Sequence, residues 1–354
     1  MNKLTKGNKM NNIKKIGLSA LAGSLAMVSA NAVEYTMSGG MVVTMTNGKG
    51  DTSTESVNGR GLGSATDLSF NASGELDNGF TVGYFMGVDT HGALSNTSSQ
   101  MTIGMGSLGT LQYNNKFGSK SNGIDDIGAY AYNETWDGLN TGLAGDNPSW
   151  FGASSNGGSV DYRIPATTFE GVTVNASVTY DPQASTAAAS KGGVSATNPG
   201  SSTAYTLQFT EDTTGIEIGL GHEDINDEQS KNNAANKTGT SNANTGYIKY
   251  AVGGLSLAYQ MANEDKIQVA ARESTMISAA YTMGDLTFSY GESTIDKEDL
   301  GATTSTVDVE NESIQVAYVM GAMTVSGAMS ETKNSNHVAG NKFEQNTLAV
   351  SFAF

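Results

Sequence analysis

Apolar residues recur at every second position in many short segments of the chain. The segment VTVNASVTY (172–180) places three valines and a tyrosine on one side, and threonine, asparagine and serine on the other. The same alternation occurs in LSLAYQ (255–260), LTFSYG (286–291), IQVAYVM (314–320) and the final TLAVSFAF (347–354). A period of two is typical of a β-strand with one apolar and one polar face. No helical period is sustained after residue 32, so the chain is predicted to be all-β.

The connections between these segments alternate in length. The short ones are predicted at 76–80, 106–110, 165–171, 210–215, 252–255, 283–286 and 320–323. The longer, polar ones are predicted at roughly 46–60, 89–99, 117–158, 181–202, 223–244, 261–272, 292–310 and 331–342. Seven short and eight long connections join sixteen strands.

This regularity favours a transmembrane antiparallel β-barrel of sixteen strands. A β-sandwich would not need its loops to sort strictly into short and long, and a β-helix would show a repeat of fixed length. A membrane barrel has short periplasmic turns, long outer loops, apolar residues towards lipid and polar residues towards a lumen. Tyrosines on the apolar faces near strand ends fit the headgroup level of such a barrel. They are Tyr84, Tyr180, Tyr259, Tyr281, Tyr290 and Tyr318.

The first 32 residues have the features of a secretory signal peptide. Five lysines and no acid precede the thirteen-residue apolar run at 16–28, and small residues follow at Ala30 and Ala32. Thirteen residues are too few to cross a hydrocarbon core of about 30 Å as a helix. We therefore expect cleavage after Ala32 and a barrel domain over 33–354.

Charge and composition narrow the classes of partner. Without residues 1–32, 14 basic residues remain against 35 acids, a net charge of −21. Such a surface repels nucleic acid and attracts cations. The chain has no cysteine, which excludes disulfides, zinc–thiolate sites and cysteine nucleophiles.

Together the signal segment, the sixteen strands and the terminal strand resemble a general-diffusion porin of Gram-negative bacteria, of the alphaproteobacterial type. This resemblance implies a homotrimer in the outer membrane that contacts lipid and lipopolysaccharide and passes small hydrophilic solutes. It also implies that the apolar face of the last strand, ending in an aromatic residue, is read by the barrel-insertion machinery. That face consists of Leu348, Val350, Phe352 and Phe354.

The third long connection is the candidate functional segment. It is about forty residues long and carries tyrosine, tryptophan and phenylalanine, so it is predicted to be folded. The resemblance implies that residues 118–157 fold into the lumen and narrow it. The acidic groups at this constriction would then be Asp125, Asp126, Glu134, Asp137 and Asp146.

Charged residues in predicted strands are expected to face the lumen, because lipid would exclude them. These candidate wall residues are Arg60, Lys116, Asp161, Arg163, Glu217 and Lys249. Acids on the loop facing bases on the wall would set up a field that selects ions by sign, here with a cation preference. In the alternative interpretation the acids only solubilise an exposed loop and the wall bases only balance charge.

Other functions have less support in the sequence. Asp125 and Asp126 are candidate Ca²⁺ ligands, but the spacing of an EF-hand is lacking, and solvated acidic loops are the simpler interpretation. No other cofactor is expected. A plugged barrel that serves as an adhesin, receptor or structural protein is the main alternative. A barrel enzyme is a third hypothesis, although His91, His222 and His337 are spread over three connections and form no recognisable triad with a serine and an acid.

Overall fold

The computed structural model is built almost wholly of β-strands. It describes residues 33–51, 56–89, 94–116, 118–125, 127–137, 148, 151, 158–182, 200–227, 241–265, 271–297 and 307–354. The predicted signal peptide lies outside these ranges. The strands are β1 Glu34–Asp51, β2 Ser56–Glu75, β3 Thr81–Asp89, β4 Ser95–Gly104, β5 Thr110–Lys116, β6 Ser159–Arg163, β7 Thr167–Phe169, β8 Val172–Asp181, β9 Gly200–Glu211, β10 Ile216–Asp227, β11 Ser241–Val252, β12 Leu255–Asp265, β13 Arg272–Met283, β14 Leu286–Lys297, β15 Val309–Met320, β16 Met323–Lys333 and β17 Lys342–Ala353. No helix among the described residues is long and apolar enough to cross a membrane.

All strand pairs are antiparallel, and the last strand closes the sheet on the first. In the β1–β17 pair, Met41 stands opposite Phe352 and Asp51 opposite Lys342. Phe354 is held at the seam by two backbone bonds to Gly39, of 2.7 and 2.9 Å. Because the sheet is closed, it has no edge strand. The backbone N–H and C=O groups can therefore pair between neighbouring strands, as a lipid environment requires.

The strands β6 and β7 are two parts of one barrel strand, which gives the predicted sixteen. Both pair with β8, but Val160 opposite Tyr180 and Thr167 opposite Val174 differ by one residue in register. Pro165 lies between them and has no N–H to donate, so the ladder is interrupted there. The turn predicted at 165–171 is therefore shorter, because pairing resumes and only Glu170 and Gly171, with φ of 49° and 85°, make the reversal.

The short and long connections lie at opposite rims of the barrel. Seven connections of two to five residues, together with both ends of the barrel domain, define the short-turn rim, and the other eight connections define the long-loop rim. The predicted loop at 46–60 is wrong in extent, because β1 and β2 continue to pair as far as Asp51 and Ser56. The alternation of apolar residues ends where the strands leave the lipid, whereas the backbone pairing of the strands continues beyond that level.

The two faces of the sheet differ in chemistry. The outward face carries large apolar side chains that are substantially exposed, such as Leu257, Ile277 and Phe288. The tyrosines predicted for this face are all on it, with Tyr281 49% exposed. The inward face carries mainly serine, threonine, glycine, alanine and glutamine. This distribution is that of a barrel surrounded by lipid and enclosing a polar lumen.

Candidate functional site

The third long connection lies against the inner face of the barrel wall. Its beginning is fixed by two inward side chains: Gln112 donates to the carbonyl of Gly118 at 2.9 Å, and Asp161 accepts from the backbone N–H of Lys120 at 2.8 Å. The described residues of this connection, 118–125, 127–137, 148 and 151, are called the lumen segment below.

Backbone amides of the lumen segment are bound by side chains from successive wall strands. Alternate residues donate to one acceptor on each of β12, β13 and β14. The bonds are Ile127 to Gln260 Oε1 at 2.6 Å, Ala129 to Ser278 Oγ at 2.8 Å and Ala131 to Ser289 Oγ at 2.8 Å. The segment therefore runs across the strands in an extended form, held by side chains rather than by strand pairing.

Two glutamines act as clamps because each both accepts and donates. Gln260 also donates from Nε2 to the carbonyl of Ile124 at 2.9 Å. Gln315, on β15, accepts from the Tyr132 N–H at 2.8 Å and donates to the Asn133 carbonyl at 2.6 Å. A primary amide has an acceptor oxygen and a separate N–H₂ donor group, so one side chain can bond a backbone N–H and a backbone carbonyl at once.

Glycines on the wall make room for aromatic rings of the lumen segment. A Cβ at Gly291 would lie 2.5 Å from the ring of Tyr130, and a Cβ at Gly221 would lie 2.5 Å from that of Phe151. Tyr130 also meets Trp136 edge-to-face, with ring centroids 6.5 Å apart. These rings are buried, so close packing reinforces the hydrogen bonds.

Three of the predicted loop acids belong to the lumen segment. Asp125, Glu134 and Asp137 are each half-buried. Burial raises the pKa of the Tyr132 hydroxyl; a hydrogen bond with Asn133 opposes this shift and the charge of Asp137 adds to it. Asp126 and Asp146 lie outside the described residues.

Asp161 and Arg163 both face inwards from β6 and form an ion pair at 3.1 Å. The carboxylate of Asp161 is fully buried and also accepts from Thr179 and from the N–H of Lys120. Asp161 thereby ties the backbone of Lys120 to the wall residues Arg163 and Thr179, so it positions the start of the lumen segment. Arg163 keeps 26% of its side chain exposed.

Glu217 and Lys249 also face inwards and stand directly opposite each other on β10 and β11. The hydroxyl of Tyr247 donates to Glu217, and Gln208 donates to that hydroxyl at 2.7 Å. Both Glu217 and Lys249 are half-buried, which leaves them partly open to the lumen.

The two remaining wall candidates lie near the long-loop rim. Lys116 ends β5 with a left-handed backbone (φ 68°), and its amine donates to the carbonyl of Asn96 on the neighbouring strand. Arg60 pairs with Asn47 and shares the outward face of β2 with Leu62.

The prediction that Arg60 faces the lumen is therefore wrong. The physical reason is the distance of Arg60 from the short-turn rim. Arg60 is fifteen residues from Glu75, where β2 ends at that rim. That distance corresponds to about 39 Å along the barrel axis for a strand tilted by about 40°. A charge there lies above an apolar band of about 25 Å and can face outwards into water.

The structure also places inwards some charged side chains that the sequence analysis did not select. Glu264 and Arg272 stand opposite each other on β12 and β13 with 3.8 Å between Oε2 and Nη2, and Glu264 is 3% exposed. Both lie just beyond the apolar alternation of their strands, in stretches predicted to be loop. Extending the same alternation by a few residues would have placed them on the inner face.

Comparison with known proteins identifies the family. The sequence profile of the Gram-negative porin family matches residues 17–354. The chain belongs to the Gram-negative porin family. A search of curated proteins returns no match.

Solved porin structures share the fold at low sequence identity. An anion-selective porin from Comamonas acidovorans is 14% identical, with a TM-score of 0.60 over 91% of this chain and 100% of the other. Salmonella typhi OmpF in complex with daunomycin is 11% identical, with a TM-score of 0.63 over 92% and 99%. OmpT of Vibrio cholerae, an outer membrane protein with its loop L8 deleted, is 10% identical, with a TM-score of 0.60 over 92% and 100%. At these identities the likeness concerns the fold alone.

Family and fold together place this porin in the outer membrane, with its outward apolar face in contact with lipid. They support a diffusion channel rather than an enzyme.

The terminal strand forms the seam of this porin. Leu348, Val350 and Phe352 lie on the outward face of β17, and Phe354, which directly follows the strand, is 50% exposed. A role of this face in assembly stays a prediction.

The histidines named in the enzyme hypothesis do not converge on one described site. His222 lies on the outward face of β10 and bonds Asn244, whereas the ring of His337 bonds the carbonyl of Val307 near the long-loop rim. His91 lies outside the described residues. Within the described ranges no group of three or more potential metal-ligating side chains occurs, and the Ca²⁺ prediction for Asp125 and Asp126 stays open because Asp126 is outside them.

Proposed function

We propose that this porin is a passive diffusion channel for small hydrophilic solutes and ions, narrowed by residues 118–157. The observation that carries the proposal is the row of bonds from the amides of Ile127, Ala129 and Ala131 to the wall. A sixteen-stranded barrel is wide enough for an aqueous channel, and a segment held against its inner wall reduces that width. Inward side chains on the strands next to this segment, such as Ser326 on β16 and Thr347 on β17, are small and project little into the lumen.

We further propose that the channel prefers cations. Asp125, Glu134 and Asp137 are only half-buried in the lumen segment. The same connection of the chain, residues 118–157, also contains Asp126 and Asp146. The exposed part of Arg163, together with Lys249 and Lys116, supplies opposite charge from the wall. Because the net charge of residues 33–354 is −21, the acidic side should dominate the field.

The proposed partners follow from family membership and charge. They are outer-membrane lipid and lipopolysaccharide, two further copies of the chain in a homotrimer, and the barrel-insertion machinery. Nucleic acid is not among them, because the acidic surface would repel it. No cofactor is required for passive diffusion, although Ca²⁺ at Asp125 and Asp126 is retained as a candidate.

Liposome swelling tests solute diffusion directly. Proteoliposomes containing the porin should swell in solutions of small sugars and do so more slowly as the sugar grows. Liposomes containing a heat-denatured sample provide the control. Swelling no faster than in the control for every sugar would contradict the channel.

A plugged barrel that acts as a receptor or structural protein is the second candidate. The burial of Trp136 and Phe151, 4% and 1% exposed, favours a tightly packed lumen segment. Under this alternative no sugar would pass, so the swelling assay distinguishes the two functions.

A further inference from the structure

The inner face of the barrel carries one aromatic ring that the protein leaves partly uncovered. Phe85 lies on β3 and faces inwards, because the preceding residue, Tyr84, belongs to the outward face. The other aromatic side chains on the inner face of the described strands are Tyr247 and Phe343, which are 4% and 0% exposed. Phe85 is only half-buried. Its ring therefore offers apolar surface to a solute in the lumen, and covering that surface would be favourable.

A β-bulge brings two hydroxyl groups to this ring. The register of the β3–β4 pair shifts after Gly87, where Thr97 is the extra residue on β4. A Cβ at Gly87 would lie 2.7 Å from Oγ1 of Thr97 and 3.5 Å from Oγ of Ser98. Cε1 of Phe85 would be 3.7 Å from the same Cβ. The bulge therefore turns two successive side chains of β4 towards the lumen, next to the ring, which is a known use of bulges at binding sites.

The polar side chains around the ring are free to bond a solute. The hydroxyls of Thr97 and Ser98 make no hydrogen bond with any residue that the structure describes. The same holds for the amide of Asn71, which is exposed and stands directly opposite Phe85 on β2. Beneath the lumen segment, by contrast, an inward hydroxyl such as that of Ser289 already accepts a backbone N–H.

The position of the ring lets a solute reach it from the lumen. The bonds that hold the lumen segment come from β5, β6 and β12 to β15, whereas the ring lies on β3. Phe85 is four residues from Thr81, where β3 begins at the short-turn rim. Four residues rise about 10 Å in a strand tilted by about 40°, within an apolar band of about 25 Å. The ring therefore lies inside the membrane-spanning part of the lumen.

The charges next to the ring do not favour an ionic solute. Asp89 follows two residues after Gly87 on β3, and Lys116 stands opposite Ser98 on β5. The two have opposite signs, so their fields partly cancel at the ring. A neutral solute with both donor and acceptor groups fits this surrounding best.

We propose that Phe85, Asn71, Thr97 and Ser98 form a subsite for a neutral pyranose sugar in transit. The apolar face of the sugar ring lies on Phe85, and sugar hydroxyls bond the two protein hydroxyls and the amide. A hydroxyl both donates and accepts, and so does each of these polar side chains. An aromatic surface with a few placed polar groups is typical of small-molecule sites. This inference rests on the proposed channel function, because the sugar reaches the ring through the lumen.

The test is the dissociation constant of maltotriose for the full-length porin in detergent, measured by saturation-transfer NMR. Phe85→Leu keeps an apolar side chain but removes the flat ring, and should raise the constant about fivefold. Phe85→Tyr should bind as the wild type does. Thr97→Val keeps the side-chain shape without the hydroxyl and should also raise the constant about fivefold. The matched control is Val42→Ala, an inward residue on β1, which should leave the constant unchanged.

Equal affinity of the wild type and Phe85→Leu would overturn the subsite. Competition tells a sugar ring from other ligands: glucose should displace maltotriose, whereas sorbitol, an acyclic polyol, should not. Displacement by sorbitol as strong as by glucose would overturn the stacking of a ring. Displacement by tetramethylammonium would overturn the preference for a neutral solute, because aromatic rings also bind such cations. Conductance of potassium chloride through the same samples reports the channel separately, so conductance without sugar binding overturns the subsite alone.

Discussion

At the scale of single residues, glutamine side chains determine where the lumen segment lies. Gln260 and Gln315 each bond both a backbone N–H and a backbone carbonyl of that segment, whereas Ser278 and Ser289 each accept one N–H. The glutamines are therefore the positions at which one substitution removes most of the attachment.

Replacing Gln315 by alanine should loosen the segment at Tyr132 and Asn133. Loss of two hydrogen bonds of about 1 kcal/mol each lowers the local stability by about 2 kcal/mol. That change corresponds to about 30-fold faster hydrogen exchange of the Tyr132 amide, measured by mass spectrometry. Single-channel recordings should also show increased open-channel noise.

Gln208→Ala is the matched control, because this inward glutamine bonds the hydroxyl of Tyr247 rather than the lumen segment. Its Tyr132 amide should exchange as in the wild type. Equal exchange in wild type and Gln315→Ala would contradict the clamp.

The sequence could not predict which glutamines bond the lumen segment. Gln208, Gln260 and Gln315 all occupy polar positions of alternating segments and look alike in the sequence. Which of them meets the lumen segment depends on the path of that segment across β12 to β15, a long-range property. Alternation predicts the face of a residue and not its partner.

At the scale of elements, the alternating pattern correctly predicted the number and order of the strands. It did not predict where the strands end at the long-loop rim. The sixteen strands and the order of short and long connections are confirmed, because lipid imposes an apolar outward face on every crossing. The pattern ends where lipid ends, so the paired extension of β1 and β2 and the outward position of Arg60 were missed. The continuation of the sixth barrel strand past Pro165 was missed for a local reason, since proline usually marks a break.

The seam strand β17 offers a test of the assembly signal. Phe354→Ala should lower the folded fraction in outer membranes at least severalfold, because it removes the aromatic end of the outward face that the insertion machinery is predicted to read. The folded fraction is measured by heat-dependent mobility in gels. Molecules that do insert should conduct normally.

Phe169→Ala is the control for this change, since Phe169 is also an outward aromatic near the short-turn rim and is 72% exposed. It should assemble as the wild type does. Equal losses in the two variants would show that any outward aromatic at this rim matters, and would contradict a specific terminal signal.

At the scale of the whole molecule, the excess of acids is predicted to determine ion preference. In a salt gradient the reversal potential should have the sign of a cation-selective channel. Replacing Asp125 and Asp137 by asparagine should move it towards zero, because both acids belong to the lumen segment. Asp212→Asn, in a connection at the short-turn rim, should have a smaller effect.

A reversal potential of anion-selective sign in the wild type would contradict the cation preference and leave the channel itself intact. The fold does not decide this sign, since a porin of the same fold from Comamonas acidovorans is described as anion-selective. Charge on the lumen segment and the wall must decide it.

The most direct test of the central claim is the conductance of the purified porin in a planar lipid bilayer. An open barrel narrowed by the lumen segment predicts stepwise increases of current, with each step proportional to voltage. Persistent absence of steps from samples shown to be folded would contradict a diffusion channel and favour a plugged barrel.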